Sequence, residues 1–238
     1  MWTIDDLKKK GNYFFRLNYW PTVLVSLIFL VISQGLSFSS TNVTRSIEST
    51  ELSGFMGLWV LAFIPAALIG IAVSVGFSVF LANPIEVGIC GFMYRNHREK
   101  ANIGIVFSQF SGNYMNVVKV MFFKNLYTFL WSLLFVVPGI IKSYEYRMVP
   151  YILSESPEIS VDDALRISSV MMDGHKGHAF GLDLSFVGWQ ILNAFTVGIL
   201  GIFYVNPYVN MTNAALYETL RQNYFANAQS TAGNNTAA

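Results

Sequence analysis

Charge is scarce in this chain. Of its 238 residues only 12% are Asp, Glu, Lys or Arg, against 53% hydrophobic and 16% aromatic. A soluble domain carries about 25% charged residues, so a surface wetted all round is excluded. The charge that exists is balanced, 15 basic against 14 acidic residues, which leaves no basic field to hold nucleic acid. Cysteine is nearly missing. Cys90, the only one, allows no intramolecular disulfide and no cysteine-based zinc site. Its apolar flanks read as those of a small core residue. There is no Gly-x-Ser-x-Gly elbow, no His-Glu-x-x-His and no phosphate-cradling glycine loop. The chain therefore reads as a non-enzyme that needs no cofactor.

What the sequence has instead is long apolar runs. About 20 apolar residues cross a hydrocarbon core, and the run Phe55–Ala82 carries no charge at all. The reading is an all-α, polytopic transmembrane helical bundle. It has six membrane segments, at about 19–36, 55–82, 116–138, 139–154, 179–200 and 201–222, together with interfacial amphipathic helices. Residues 1–18, with Lys8, Lys9, Lys10 and Arg16 beside Tyr13, Phe14 and Phe15, read as an interfacial helix. A signal peptide is the competing reading of this end. Residues 19–224 form the transmembrane domain, and the low-complexity residues 225–238 a disordered tail. Pro138-Gly139 is a turn signal. The stretch after it, with Lys142, Glu145 and Arg147 embedded, is either a short span or the start of a loop. Ser160–Met172 is an amphipathic helix, with Ser160 and Asp163 as a capping box and Gly174 as its stop.

Lys and Arg placement orients the chain. With both termini cytoplasmic, Lys8–Lys10, Arg16, Arg95, Arg98, Lys100, Arg166, Lys176 and Arg221 fall inside. Arg45 falls outside, and so does Lys142 if it belongs to the outer turn. The positive-inside rule favours this six-segment layout. It implies a multi-pass protein of the cell membrane, with the lipid bilayer as its partner.

From Val136 the order of motifs is specific. Val136-Val-Pro-Gly-Ile-Ile-Lys-Ser-Tyr-Glu-Tyr-Arg-Met-Val-Pro-Tyr comes first, then Asp163-Ala-Leu-Arg-Ile-Ser-Ser and Met172-Asp-Gly-His-Lys-Gly-His. Leu182-Asp-Leu-Ser-Phe-Val-Gly-Trp and Asn206-Pro-Tyr complete the series. It resembles the bacterial integral membrane family called domain of unknown function 975, strongly over Tyr114–Arg221 and in layout before that. A looser version is similar to YciC-like inner-membrane proteins and to the membrane region of some glycerophosphodiester phosphodiesterases. The resemblance implies the turned-back, six-segment layout. It supplies no reaction, because the phosphodiesterase barrel is absent and the family has no agreed activity.

Ionisable groups inside membrane segments cost a few kcal/mol each unless they pair, face water or snorkel. Glu86, Lys124, Lys142, Glu145, Arg147 and Asp183 are therefore the candidate intramembrane polar site. Two readings stand: ion pairs that specify packing, or a polar cavity that handles or senses a lipid or other amphipathic molecule. A non-catalytic scaffold that docks another membrane protein is the alternative function. Lys124 and Asp183 fall at one depth in the layout, so a pair between them is expected, with Glu86 close by. His175 and His178 have a His-x-x-His spacing, but two glycines loosen it and no metal is expected.

Overall fold

The computed structural model describes residues 2–32, 68–99 and 101–235, with side chains to residue 227 and at 229. The end of the first apolar run, the polar stretch Ser37–Ser53 with Arg45, the start of the second run and the last three residues lie outside it. The described residues are helical, with no strand among them. Two helices, Leu68–Arg95 and Tyr114–Leu134, are long and apolar enough to cross a membrane. The count is three if Ile4–Leu17 and Tyr19–Ile32, bent 105° at their junction, form one span.

Helix α1 (Ile4–Leu17) starts at Thr3, whose hydroxyl accepts from the Asp6 amide. It lies along the last helix, with Gly11 against Thr212 and Phe15 against Tyr204. After the bend, α2 (Tyr19–Ile32) is tied by Thr22 to Asn96 and by Ser26 to Asn210. Helix α3 (Leu68–Arg95) widens into a π segment at Ser78–Ala82, just before Pro84. Proline offers no N–H to the carbonyl four residues back, and that carbonyl, of Phe80, accepts instead from the Tyr114 hydroxyl at 2.6 Å. The arrangement recurs near the end of the chain, where a π segment at Gly201–Val205 precedes Pro207.

Two helical hairpins make up most of the rest. In the first, α4 (Tyr114–Leu134) reverses at Phe135 into α5 (Val136–Glu145). Gly139 sits so close to Ser132 that a Cβ there would meet its Cα at 2.6 Å. Lys142 lies over the Trp131 ring, so the limbs run antiparallel. The stretch after the turn is a helix broken at Tyr146–Met148 and resumed as α6 (Val149–Glu155). A single Ser168 hydroxyl bridges that break, donating to the Glu145 carbonyl and accepting from the Met148 amide. Ser168 belongs to α7 (Val161–Met172), the amphipathic helix, which starts at a Ser160 cap as expected. Its apolar face joins Ala164 and Leu165 to Val117, Val120 and Met121 of α4.

In the second hairpin, α8 (Lys176–Leu184) and α9 (Val187–Phe195) run to a tight turn at Thr196–Gly198. The chain returns through the π segment into α10 (Asn206–Asn235). The sequence reading ends this last helix near Arg221 and takes 225–238 as a disordered tail, whereas the helical backbone continues to Asn235.

Burial is lopsided. The main core gathers Phe15, Phe92, Met148, Met172, Leu216 and Tyr217. Large apolar residues stand exposed along Leu68–Leu81 and at both hairpin tips, with Phe135 69% and Val197 91% accessible. A soluble surface rarely shows contiguous apolar area on this scale.

Candidate functional site

The six charged residues singled out in the sequence form three clusters. Helix α3 places Glu86 two residues beyond Pro84, where its Oε1 lies 3.3 Å from Lys124 Nζ on α4. Arg147 sits in the break after α5, so its side chain is free to reach across to α8. There Nη1 and Nη2 donate to the two Asp183 oxygens at 2.8 Å each. Nη2 also donates to Asn213 Oδ1 of α10, and the Tyr144 hydroxyl donates to Asp183. The third cluster centres on Glu145, which is one-tenth exposed. Its Oε1 accepts from Lys142 at 2.7 Å and from Ser169, and its Oε2 from Lys176 at 2.9 Å.

The expected Lys124–Asp183 pair is therefore replaced. Lys124 takes Glu86, and Asp183 takes Arg147. Matching depth put Lys124 and Asp183 on one level, but the break at Tyr146–Met148 lets Arg147 reach α8, and a bidentate guanidinium–carboxylate fork is stronger than a single ammonium contact. Lys142 shares the Glu145 carboxylate with Lys176, at the start of α8.

Glu86 and Arg147 line one cavity of about 230 Å³ together with Tyr151, Asn210 and Asn213. Phe29, Ile89, Cys90, Met93 and Pro150 supply its apolar wall. Asn210 and Asn213 lie three apart on α10 and so share a face. The Asn210 amide nitrogen is held by Ser26 and the Asn213 oxygen by Arg147, which turns one acceptor and one donor toward other partners. The cavity thus combines a carboxylate, a guanidinium, two amides and a phenol with apolar walls. Such a lining suits the polar end of an amphipathic molecule.

Sequence reasoning missed Tyr144, Ser169, Lys176 and Tyr151 as parts of these clusters, whereas the Asn series of the last helix, with Asn210 and Asn213, already pointed to a polar interior. It also missed two fastenings of α10. His97, in the basic linker Arg95–Lys100, is buried, with Nε2 3.1 Å from the Met211 carbonyl and Nδ1 3.5 Å from Glu218. Arg221 and the Tyr217 hydroxyl both reach Glu155. His175 and His178 flank the Trp2 ring at 5.8 and 5.6 Å. Burial, with His178 adding, lowers His175 from its ordinary value. Among the described residues no three His, Cys, Asp or Glu side chains converge as a metal site.

No curated protein and no solved structure matches this chain. A family model does, over residues 100–224. That stretch carries α4 to α10 up to Tyr224, and with them every charged residue of the clusters except Glu86. The chain belongs to the family described as Protein of unknown function (DUF975).

Proposed function

We propose that this protein is a non-enzymatic, multi-pass protein of the cell membrane that receives the polar end of a lipid or other amphipathic molecule in the cavity between α2, α3, α6 and α10. Both of its termini lie in the cytoplasm. The observation behind the reading is the lining itself: Glu86 and Arg147 face the same 230 Å³ space as Asn210 and Asn213, beside apolar walls. Ion pairs that serve packing alone have no need of such a space. Phe29, Ile89 and Met93 would meet the apolar part of the ligand, while the polar groups read its head.

The test uses the full chain in liposomes and short-chain fluorescent phospholipids. Their binding and transfer between leaflets are followed with a membrane-impermeant quencher. Glu86→Gln keeps shape and removes charge, and Asn213→Leu fills the polar side. Each should reduce binding or transfer severalfold, beyond any fall in melting temperature that the lost Lys124 or Arg147 contact causes. Unchanged binding and transfer in both would overturn the reading.

A second reading, a scaffold that docks another membrane protein, is favoured by a groove of about 300 Å³ between α7 and α10. Val170, Met171, Leu220 and Tyr224 line it, and Val170 is exposed. Cross-linking from native membranes that captures one partner, lost on Val170→Glu, would support it. Recovery of the chain alone would count against it.

A further inference from the structure

Building on the membrane reading, we infer that neither hairpin crosses the bilayer: both enter from the cytoplasmic side and end in the acyl chains near its centre, so their tips are docking surfaces for lipid tails.

The level of the cytoplasmic surface can be placed on each hairpin. Lys142 of α5 and Lys176 at the start of α8 hold the two oxygens of one carboxylate, Glu145, at 2.7 and 2.9 Å. They therefore lie side by side. Lys176 closes the segment assigned to the cytoplasm, so Lys142 is at that surface too. Phe135, the tip, precedes Lys142 by only seven residues, which at ~1.5 Å per residue is about 10 Å. A hydrocarbon core is ~30 Å thick. The longer limb does not change this. Helix α4 has 21 residues, but its first two turns are packed on the amphipathic helix α7 through Val117, Val120 and Met121. Asn116 there also donates to the carbonyls of Pro157 and Ile159. What remains, Phe122–Leu134, reaches about 20 Å at most.

The second hairpin agrees. Lys8 of the polar helix α1 donates to the carbonyl and hydroxyl of Ser185, at the α8–α9 break. Val197 lies twelve residues beyond Ser185, about 18 Å along a straight helix.

The turns themselves are built for hydrocarbon. A water-facing turn is rich in Gly, Asn, Asp and Ser. Here the first tip is Leu133-Leu-Phe-Val-Val137, every residue exposed. At the second, Val197 occupies a left-handed conformation (φ 52°) and is 91% exposed. A β-branched residue is strained there, where Asn would serve in water. In lipid each backbone N–H needs an internal partner. From Thr196 to Ile202 all seven have one, to carbonyls of Asn193, Ala194, Thr196 and Gly198, to the Thr196 hydroxyl, and to Asn193 Oδ1 at 2.6 Å. Asn193 and Thr196 thus seal the turn against the absence of water.

The experiment places single cysteines at the tips, Phe135→Cys and Val197→Cys, with Arg98→Cys as the cytoplasmic reference, each in the full chain carrying Cys90→Ser. Right-side-out and inverted vesicles are treated with an impermeant maleimide, and nitroxide labels at the same sites report depth from the ratio of oxygen to nickel-chelate accessibility. The expected result is no maleimide labelling of either tip from either side, full labelling after detergent, and nitroxide depths near the bilayer centre. Tip labelling from the face opposite Arg98 would overturn the inference and leave the membrane reading standing. Labelling from the Arg98 face would overturn the insertion itself. Loss of phospholipid binding with the tips still deep would separate a failure of the cavity from a failure of this topology.

Discussion

Arg147 holds Asp183 by both arms of its guanidinium, Nη1 to Oδ2 and Nη2 to Oδ1, each at 2.8 Å. Arg147 lies in a helix break and Asp183 near the end of another helix, so this contact fastens the first hairpin to the second. The Tyr144 hydroxyl and the Asn213 amide complete the set.

Removing either partner strands the other. Arg147→Met and Asp183→Asn should each cost ~1–3 kcal/mol, less than the 3–5 typical of fully buried pairs because Asp183 is 38% exposed. The double variant should lose less than the two losses added. Thermal melting in detergent measures all three. Strict additivity would show that the fork contributes nothing to stability.

The partner of Lys124 is equally open to test. Lys124→Glu and Glu86→Lys should each lower the melting temperature, and the double swap should recover a substantial part, because the two groups lie 3.3 Å apart. Lys124→Asp combined with Asp183→Lys should show no recovery. The opposite pattern would restore the pairing expected from sequence depth alone.

Two glycines separate close packing from mere composition. A Cβ at Gly139 would press on Ser132, with its Cα at 2.6 Å, while one at Gly177 meets nothing within 4 Å. Gly139→Ala should therefore cost ~1–3 kcal/mol by overpacking the hairpin. Gly177→Ala should be neutral or slightly stabilising, since alanine favours helix. Equal melting temperatures for the two variants would mean that the limbs do not approach as described.

Acid should loosen the α8 end. Burial lowers His175 from its ordinary value of 6.5, so the folded chain resists a proton that the unfolded chain accepts. The stability tied to this histidine is complete above pH 6.5 and is lost as pH falls through that value. His175→Gln should flatten the melting temperature between about pH 7 and pH 5. An unchanged slope would assign it to other groups.

The amphipathic helix Ser160–Met172, with its cap, was legible from residue types alone, because a serine hydroxyl and a 3.6-residue apolar period act locally. So were helices long and apolar enough to cross a membrane: too few charges are spread over too many apolar residues for every face to meet water. The reversal near Pro138-Gly139 could be foreseen to within a few residues, since a breaker next to an apolar run has few other uses. Which charge meets which was not legible. Lys124 and Asp183 shared a depth on paper, but depth along a segment says nothing about rotation around it. Nor does it foresee a break at Tyr146–Met148, held open by Ser168 from a distant helix, that lets Arg147 reach Asp183 first. The same holds for Lys142, which shares the Glu145 carboxylate with Lys176 from a segment far along the chain. Composition and periodicity determined that this chain is helical and carries helices long and apolar enough to cross a membrane, because those are properties of consecutive residues. Pairing and the cavity were decided only by tertiary structure, because each depends on residues far apart in sequence competing for the same partner.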